Sequence, residues 1–137
     1  MRKAVLIAIS TLLLAGSAHA ANIASVVQLG FIQGQTTWQK GDYNSATTAQ
    51  AGAFQSATTK QGGYFNTAQT VQIGGAQIAQ TQQFGLVASQ PGINNNASTL
   101  QIGAFQSAST SQYGANNYAS TTQVGVGQSS TITQIHY

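Results

Sequence analysis

Groups able to do acid–base or nucleophilic chemistry are nearly missing from this 137-residue chain. Asp42 is its single acidic side chain, and the histidines are His19 and His136. General acid–base work and glycoside hydrolysis both need pairs of titratable groups, which one aspartate cannot supply. A Ser–His–Asp arrangement built on Asp42 and His136 would need the two ends of the chain to meet. Catalysis is therefore not expected, and nothing in the residue types calls for a cofactor or a metal. Cysteine is absent, so no disulfide framework is available either.

Side-chain amides are abundant, and their spacing is regular. A Gln-x-Gly triplet begins at Gln28, Gln39, Gln50, Gln61, Gln72 and Gln83, then at Gln90, Gln101, Gln112 and Gln123, with a degenerate copy at Gln134. Every step is 11 residues except Gln83 to Gln90, which is 7. Five residues after the marker comes a second amide, alternating Gln33, Asn44, Gln55, Asn66, Gln77, then Asn95, Gln106, Asn117, Gln128. Seven after it stands a small residue, usually alanine (Ala46, Ala57, Ala68, Ala79, Ala97, Ala108, Ala119), and nine after it usually threonine. The alternation makes the full repeat 22 residues long, in two halves. The hexapeptide GAFQSA at Gly52 and Gly103 recurs 51 residues apart, which is two full repeats plus seven.

Amide, alanine, threonine and the next marker occupy alternate positions, the period of a strand with one face enclosed. The marker glycines Gly30, Gly41, Gly52, Gly63, Gly74, Gly92, Gly103, Gly114 and Gly125 are expected in turns that need positive φ. Each half is then a strand and a turn. The fold class expected is all-β: a β-solenoid of strand–turn–strand coils, amyloid-like and cross-β on assembly. Five coils at roughly 4.8 Å per rung would stand about 24 Å tall. The enclosed set should be amides, Ala and Thr, with each amide hydrogen-bonded to its equivalent one coil along. This self-assembly ladder comprises Gln28, Gln39, Asn44, Gln50, Gln61, Asn66, Gln72, Gln90, Asn95, Gln101, Gln112, Asn117, Gln123 and Gln134. Leu29, Ile73, Phe84, Ile102, Tyr113 and Val124 should face outward, and Tyr43, Phe54, Phe65 and Phe105 should lie in the arcs. The segment Gln83–Ser89, followed by Pro91, is expected to bulge out as an irregular insert.

Charged residues make up 4% of the chain, against roughly 25% in an ordinary soluble domain. Arg2 and Lys3, the apolar run Ala4–Ala15 and the sequence Ala18-His19-Ala20 together read as a signal peptide over residues 1–20. Residues 21–137 would form the solenoid. That predicts export without a membrane anchor, because the apolar run is shorter than the roughly 20 residues a spanning helix needs. Beyond it only Lys40, Lys60 and Asp42 carry charge, and they give no footprint for nucleic acid. These three are candidate gatekeepers against edge-to-edge pairing, or simply solvated surface.

The pattern Gln-x-Gly-x-x-Asn-x-Ala-x-x-x-Gln is complete at Gln39–Gln50, Gln61–Gln72, Gln90–Gln101 and Gln112–Gln123. It resembles the curlin repeat of curli, the bacterial functional-amyloid fibre, over about Ala24 to Tyr137. The resemblance implies a secreted structural subunit that assembles into extracellular fibres of the biofilm matrix, supporting adhesion and cell aggregation. The implied partners are further copies of the chain (a homopolymer), a second curlin subunit, periplasmic chaperones and the outer-membrane secretion machinery. Curlins come as a major subunit and a minor, surface-anchored nucleator. Gln33, Gln55, Gln77, Gln106 and Gln128 stand where the major subunit usually has Ser, and alanine in both halves is closer to the nucleator. Only Ala21–Val27 would precede the first marker, where the major subunit has a longer secretion segment.

Two more distant readings are weaker. An ice-binding solenoid needs a regular Thr face, but the outward column reads Thr36, Thr58, Gln80, Ser109, Thr131. A monomeric adhesin could use Trp38, Tyr113 and Tyr118, which form no stripe.

Overall fold

The computed structural model describes residues 22–85 and 94–136. The expected signal peptide, together with Gln90, Pro91 and Gly92, lies outside these described residues. Six strands follow in order: β1 (Ile23–Lys40), β2 (Ser45–Gly62), β3 (Thr67–Phe84), β4 (Asn96–Gly114), β5 (Tyr118–Val126) and β6 (Ser129–His136). They form one parallel sheet in the order β1-β2-β3-β4-β5, with β6 also on β4. The fold is an all-β solenoid of about five turns, as the period predicts.

Strands β1 to β4 each contain a whole coil, since pairing continues through the arc in the middle of each. Gln28 lies over Gln50, Gln50 over Gln72, Gln72 over Gln101, and Gln101 over Gln123. The fifth coil is made by β5 and β6 together. Burial alternates along each strand, as in the pattern eBeBiBe of β3 from Thr67 to Ile73. Pleating sends successive side chains to opposite faces, so alternate residues are enclosed.

No large apolar side chain is fully buried among the described residues, although Val26 and Ile132 continue inward columns in the two end coils. The buried hydrophobic residues are Ala46, Ala57, Ala68, Ala79, Ala97, Ala108 and Ala119, and the other buried residues are Gln, Asn and Thr. Leu29, Ile73, Ile102 and Val124 are exposed on the outer face, as parity requires, and Phe84 and Tyr113 stack there at 5.8 Å. Hydrogen bonding therefore has to specify the core, with alanine setting how closely the two walls approach.

The arcs require two left-handed residues each. The marker glycine is one, as expected: Gly30, Gly41, Gly52, Gly63, Gly74, Gly103, Gly114 and Gly125 have φ between 99° and 140°. The second is the residue before the amide: Ile32, Tyr43, Phe54, Phe65, Ala76, Phe105 and Asn116 have φ of 46° to 57°, and Gly127 has φ of 71°. A side chain in that region costs about 1–2 kcal/mol. The coil supports it because the neighbouring amide pins the arc. Gln55 Nε2, for example, donates to the carbonyls of Ala51 and Gly74 at 3.1 and 3.2 Å.

The position of the insert needs correction. Gln83 does not bulge out: it is fully buried and paired with Gln112, and Phe84 pairs with Tyr113. The seven extra residues fall after Gly85 and before Asn95, which hydrogen-bonds Asn66 at 3.1 Å. Gln83 stands 11 residues after Gln72, and Gln90 stands 11 before Gln101, so spacing alone fits either as the marker. Gln83 takes the place because it continues directly from β3, its amide accepting from Gln61 at 2.8 Å and donating to Gln112 at 2.8 Å.

Candidate assembly interface

Four columns of amides run the length of the solenoid. The first is Gln28, Gln50, Gln72, Gln101 and Gln123, in which each Nε2 donates to the next Oε1 at 2.6, 2.7, 2.9 and 2.9 Å. The second is Gln39, Gln61, Gln83, Gln112 and Gln134, linked at 2.7, 2.8, 2.8 and 2.9 Å. Looser links of 3.2, 3.2, 3.2 and 3.4 Å join Gln33, Gln55, Gln77, Gln106 and Gln128. In all three the donor belongs to the earlier coil and the acceptor to the later one.

Most of these glutamines also donate an N–H to a backbone carbonyl. Gln61 Nε2 donates to the Ser45 carbonyl at 2.9 Å, and Gln83 Nε2 to that of Thr67 at 2.9 Å. Side-chain and backbone partners together make burial of so much polar surface tolerable.

The asparagine column runs the other way. Asn66 Nδ2 donates back to Asn44 Oδ1 at 2.9 Å, Asn95 to Asn66 at 3.1 Å, and Asn117 to Asn95 at 3.1 Å. Backbone N–H groups reinforce this sense, as Asn44 N donates to Asn22 Oδ1 at 3.0 Å and Asn66 N to Asn44 Oδ1 at 3.2 Å. Asn has one methylene fewer than Gln, so its oxygen stays close to the backbone and meets the next coil's N–H.

Sequence reading placed Gln28, Gln39, Asn44, Gln50, Gln61, Asn66, Gln72, Asn95, Gln101, Gln112, Asn117, Gln123 and Gln134 in ladders. The structure brings all of them there, while Gln90 and Gly92 lie outside the described residues. Gln33, Gln55, Gln77, Gln106 and Gln128, together with Gln83, also belong to the ladders; their strict phase in the repeat is the signal that carries them.

Among the described residues both ends of the stack are open. No side chain among them donates to Oε1 of Gln28, Gln33 or Gln39, and Nε2 of Gln123, Gln128 and Gln134 bonds only a backbone carbonyl, of Ser107, Val124 and Tyr118 respectively. Among the described residues no strand pairs with the outer edge of β1 at one end or of β5 and β6 at the other. The candidate gatekeepers are exposed (Lys40, Lys60) or half-buried (Asp42), and all three lie in the first two coils. The Asp42 backbone N–H donates to the Gly63 carbonyl at 3.2 Å, next to the stacked rings of Tyr43 and Phe65 at 5.1 Å. None of the three blocks the C-terminal edge.

Among the described residues there is no group of three His, Cys, Asp or Glu side chains placed to hold a metal, and no helix long and apolar enough to cross a membrane. The outward column Thr36, Thr58, Gln80, Ser109, Thr131 does form one row, and it is as irregular as the sequence indicates. Comparison with family models, curated proteins and solved structures found no match to this chain.

Proposed function

We propose that this chain is a secreted structural subunit that self-assembles into curli-type, cross-β fibres of an extracellular matrix, where it supports adhesion and cell aggregation. The observation that carries this reading is that, among the described residues, the amide columns and strand edges run out unpaired at both ends. Repeat stacks that stay monomeric need polar caps over such ends. Here the end coils carry on the register and the amide columns of the interior coils, so the best partner for either end is another copy of this chain. Export, the periplasmic chaperones, the secretion machinery and a second curlin subunit belong to the proposal through the repeat's resemblance to curlins.

Thioflavin T fluorescence on freshly desalted chain lacking residues 1–20, with and without preformed seeds, tests it. A lag that seeds abolish is expected. A chain that stays monomeric and β-rich for days would contradict the reading. If it has no lag itself and shortens the lag of another curlin, nucleation at the cell surface becomes its role instead.

A further inference from the structure

We infer that a notch on the outer face, floored by Gly62 between the rings of Trp38 and Phe84, binds an acidic saccharide by ring stacking and through the Lys60 ammonium. The notch is complete in a single chain, so the inference goes beyond self-assembly and does not depend on it. How the notch is built and what lines it both lead there.

The notch is made by departures from the repeat. Two neighbouring outward columns meet there, one running Trp38, Lys60, Gln82 and the other Lys40, Gly62, Phe84 over the first three coils. Gly62 closes β2 without the positive φ of the marker glycines, so its backbone does not call for glycine. Space does. A Cβ there would lie 2.9 Å from Phe84 Cδ1 and 3.9 Å from Trp38 Cζ3. Rings from the coil before and the coil after thus converge over a stretch of bare backbone. The cleft between them has a volume of about 470 Å³ and is lined by Thr36, Trp38, Lys60 and Phe84. Small-ligand sites span roughly 300–1,000 Å³.

Its lining combines three chemistries. Trp38, 39% exposed, and the half-buried Phe84 offer flat apolar faces on which the C–H groups of a pyranose ring can stack. Lys60 is exposed at the cleft, and Lys40 stands one coil before Gly62 in the same column, so both lysines beyond residue 20 border the notch. The lone carboxylate, Asp42, lies in the next arc and is not part of the lining. Thr36, with Thr58 above it and Gln82 next to Phe84, supplies hydroxyl and amide groups that can pair with sugar hydroxyls. The opposite wall, with Leu29, Ile73, Ile102 and Val124, has no such mixture. A neutral sugar would leave the Lys60 charge unused. A nucleic-acid strand could stack on the same rings, but its affinity comes from many phosphate contacts, and two lysines supply few. One carboxylate on a stacked ring, as in a uronic acid, matches the charge and the shape together.

Trp38 is the single tryptophan of the chain, so its fluorescence reports on the notch directly. Oligogalacturonate titrated into freshly desalted chain lacking residues 1–20 should shift Trp38 emission in a saturable way. A neutral glucan oligomer of equal length should bind at least about tenfold more weakly. Lys60→Gln should weaken oligogalacturonate binding by about tenfold, and Lys60→Arg, which keeps the charge, should stay within about threefold of wild type. Gly62→Val fills the floor from an outward position and should weaken binding by about tenfold or more, with the circular dichroism spectrum kept. Tyr118→Ser, on the opposite wall, should leave binding unchanged. Equal binding of the acidic and neutral oligomers, or full binding in both Lys60→Gln and Gly62→Val, would overturn the site. Single-stranded oligothymidylate binding more tightly than oligogalacturonate would overturn it in favour of nucleic acid. Trp38 emission that shifts with protein concentration and ignores saccharide would overturn it in favour of a second copy seated in the notch. Binding by fresh monomer that never forms fibres would support this site while removing the self-assembly reading.

Discussion

Truncating Gln72 to alanine separates a core held by hydrogen-bonded ladders from one held by apolar packing. Gln72 is fully buried, accepts from Gln50 Nε2 at 2.7 Å, and donates to Gln101 Oε1 at 2.9 Å and to the Ser56 carbonyl at 3.3 Å. Removal leaves a buried N–H on Gln50 and a buried oxygen on Gln101 without that partner. At about 1–3 kcal/mol per orphaned group the loss is about 2–6 kcal/mol, a large part of the roughly 5–15 kcal/mol that holds a domain together. Gln28→Ala at the open end deprives only Gln50 Oε1 of a donor, and Gln28 is half-buried, so water can substitute. Its cost should be about 1 kcal/mol.

Urea unfolding followed by far-ultraviolet circular dichroism, on fresh monomer before fibres form, measures both. Gln72→Glu adds a pH dependence of known sign. Burial disfavours the carboxylate and raises its folded-state pKa above the unfolded value. The variant should therefore be closest to wild type below about pH 4, where the protonated acid can still donate to Gln101. It should lose about 1.4 kcal/mol per pH unit as pH rises from the unfolded towards the folded pKa. Equal losses for Gln72→Ala and Gln28→Ala, or a pH-independent Gln72→Glu, would refute the ladder account.

Three further outcomes follow from individual positions. Thr99 is buried with its hydroxyl unpaired among the described residues, while Val26 occupies the same column in the first coil, so Thr99→Val should raise stability by about 1 kcal/mol in the same assay. Phe105 holds φ of 55° and is 70% exposed, so Phe105→Gly should stabilise by about 0.5–1 kcal/mol, read from the urea midpoint. A Cβ on Gly52 would lie 1.8 Å from the Gly74 carbonyl oxygen, whereas on Gly125 its nearest neighbour is Gln128 Nε2 at 3.3 Å. Gly52→Ala should abolish the folded dichroism spectrum, while Gly125→Ala, at a similar φ, should keep it and cost about 1–2 kcal/mol.

Most of this fold is legible in the sequence because every coil repeats one local rule. The 11-residue period, the amide alternation and the parity of apolar residues each point to the same register, so composition that would otherwise suggest disorder does not mislead. Three features are not legible. The left-handed residue before each amide leaves no trace, because positions as different as Ile32, Tyr43, Ala76 and Asn116 adopt it under constraint from the coil. The opposite senses of the Gln and Asn columns depend on side-chain length against rung geometry, which spacing does not encode. The place of the insert is ambiguous because Gln83 and Gln90 both keep phase with one neighbour, and only burial of Gln83 between Gln61 and Gln112 decides it.

Cryo-electron microscopy of fibres grown from the purified chain tests the central claim most directly. The account predicts strands perpendicular to the fibre axis at a rung spacing of about 4.8 Å. The amide columns should pass unbroken from Gln123, Gln128 and Gln134 of one copy to Gln28, Gln33 and Gln39 of the next. Fibres in which intact solenoids pack side by side, or are strung together with the columns interrupted at each joint, would contradict it.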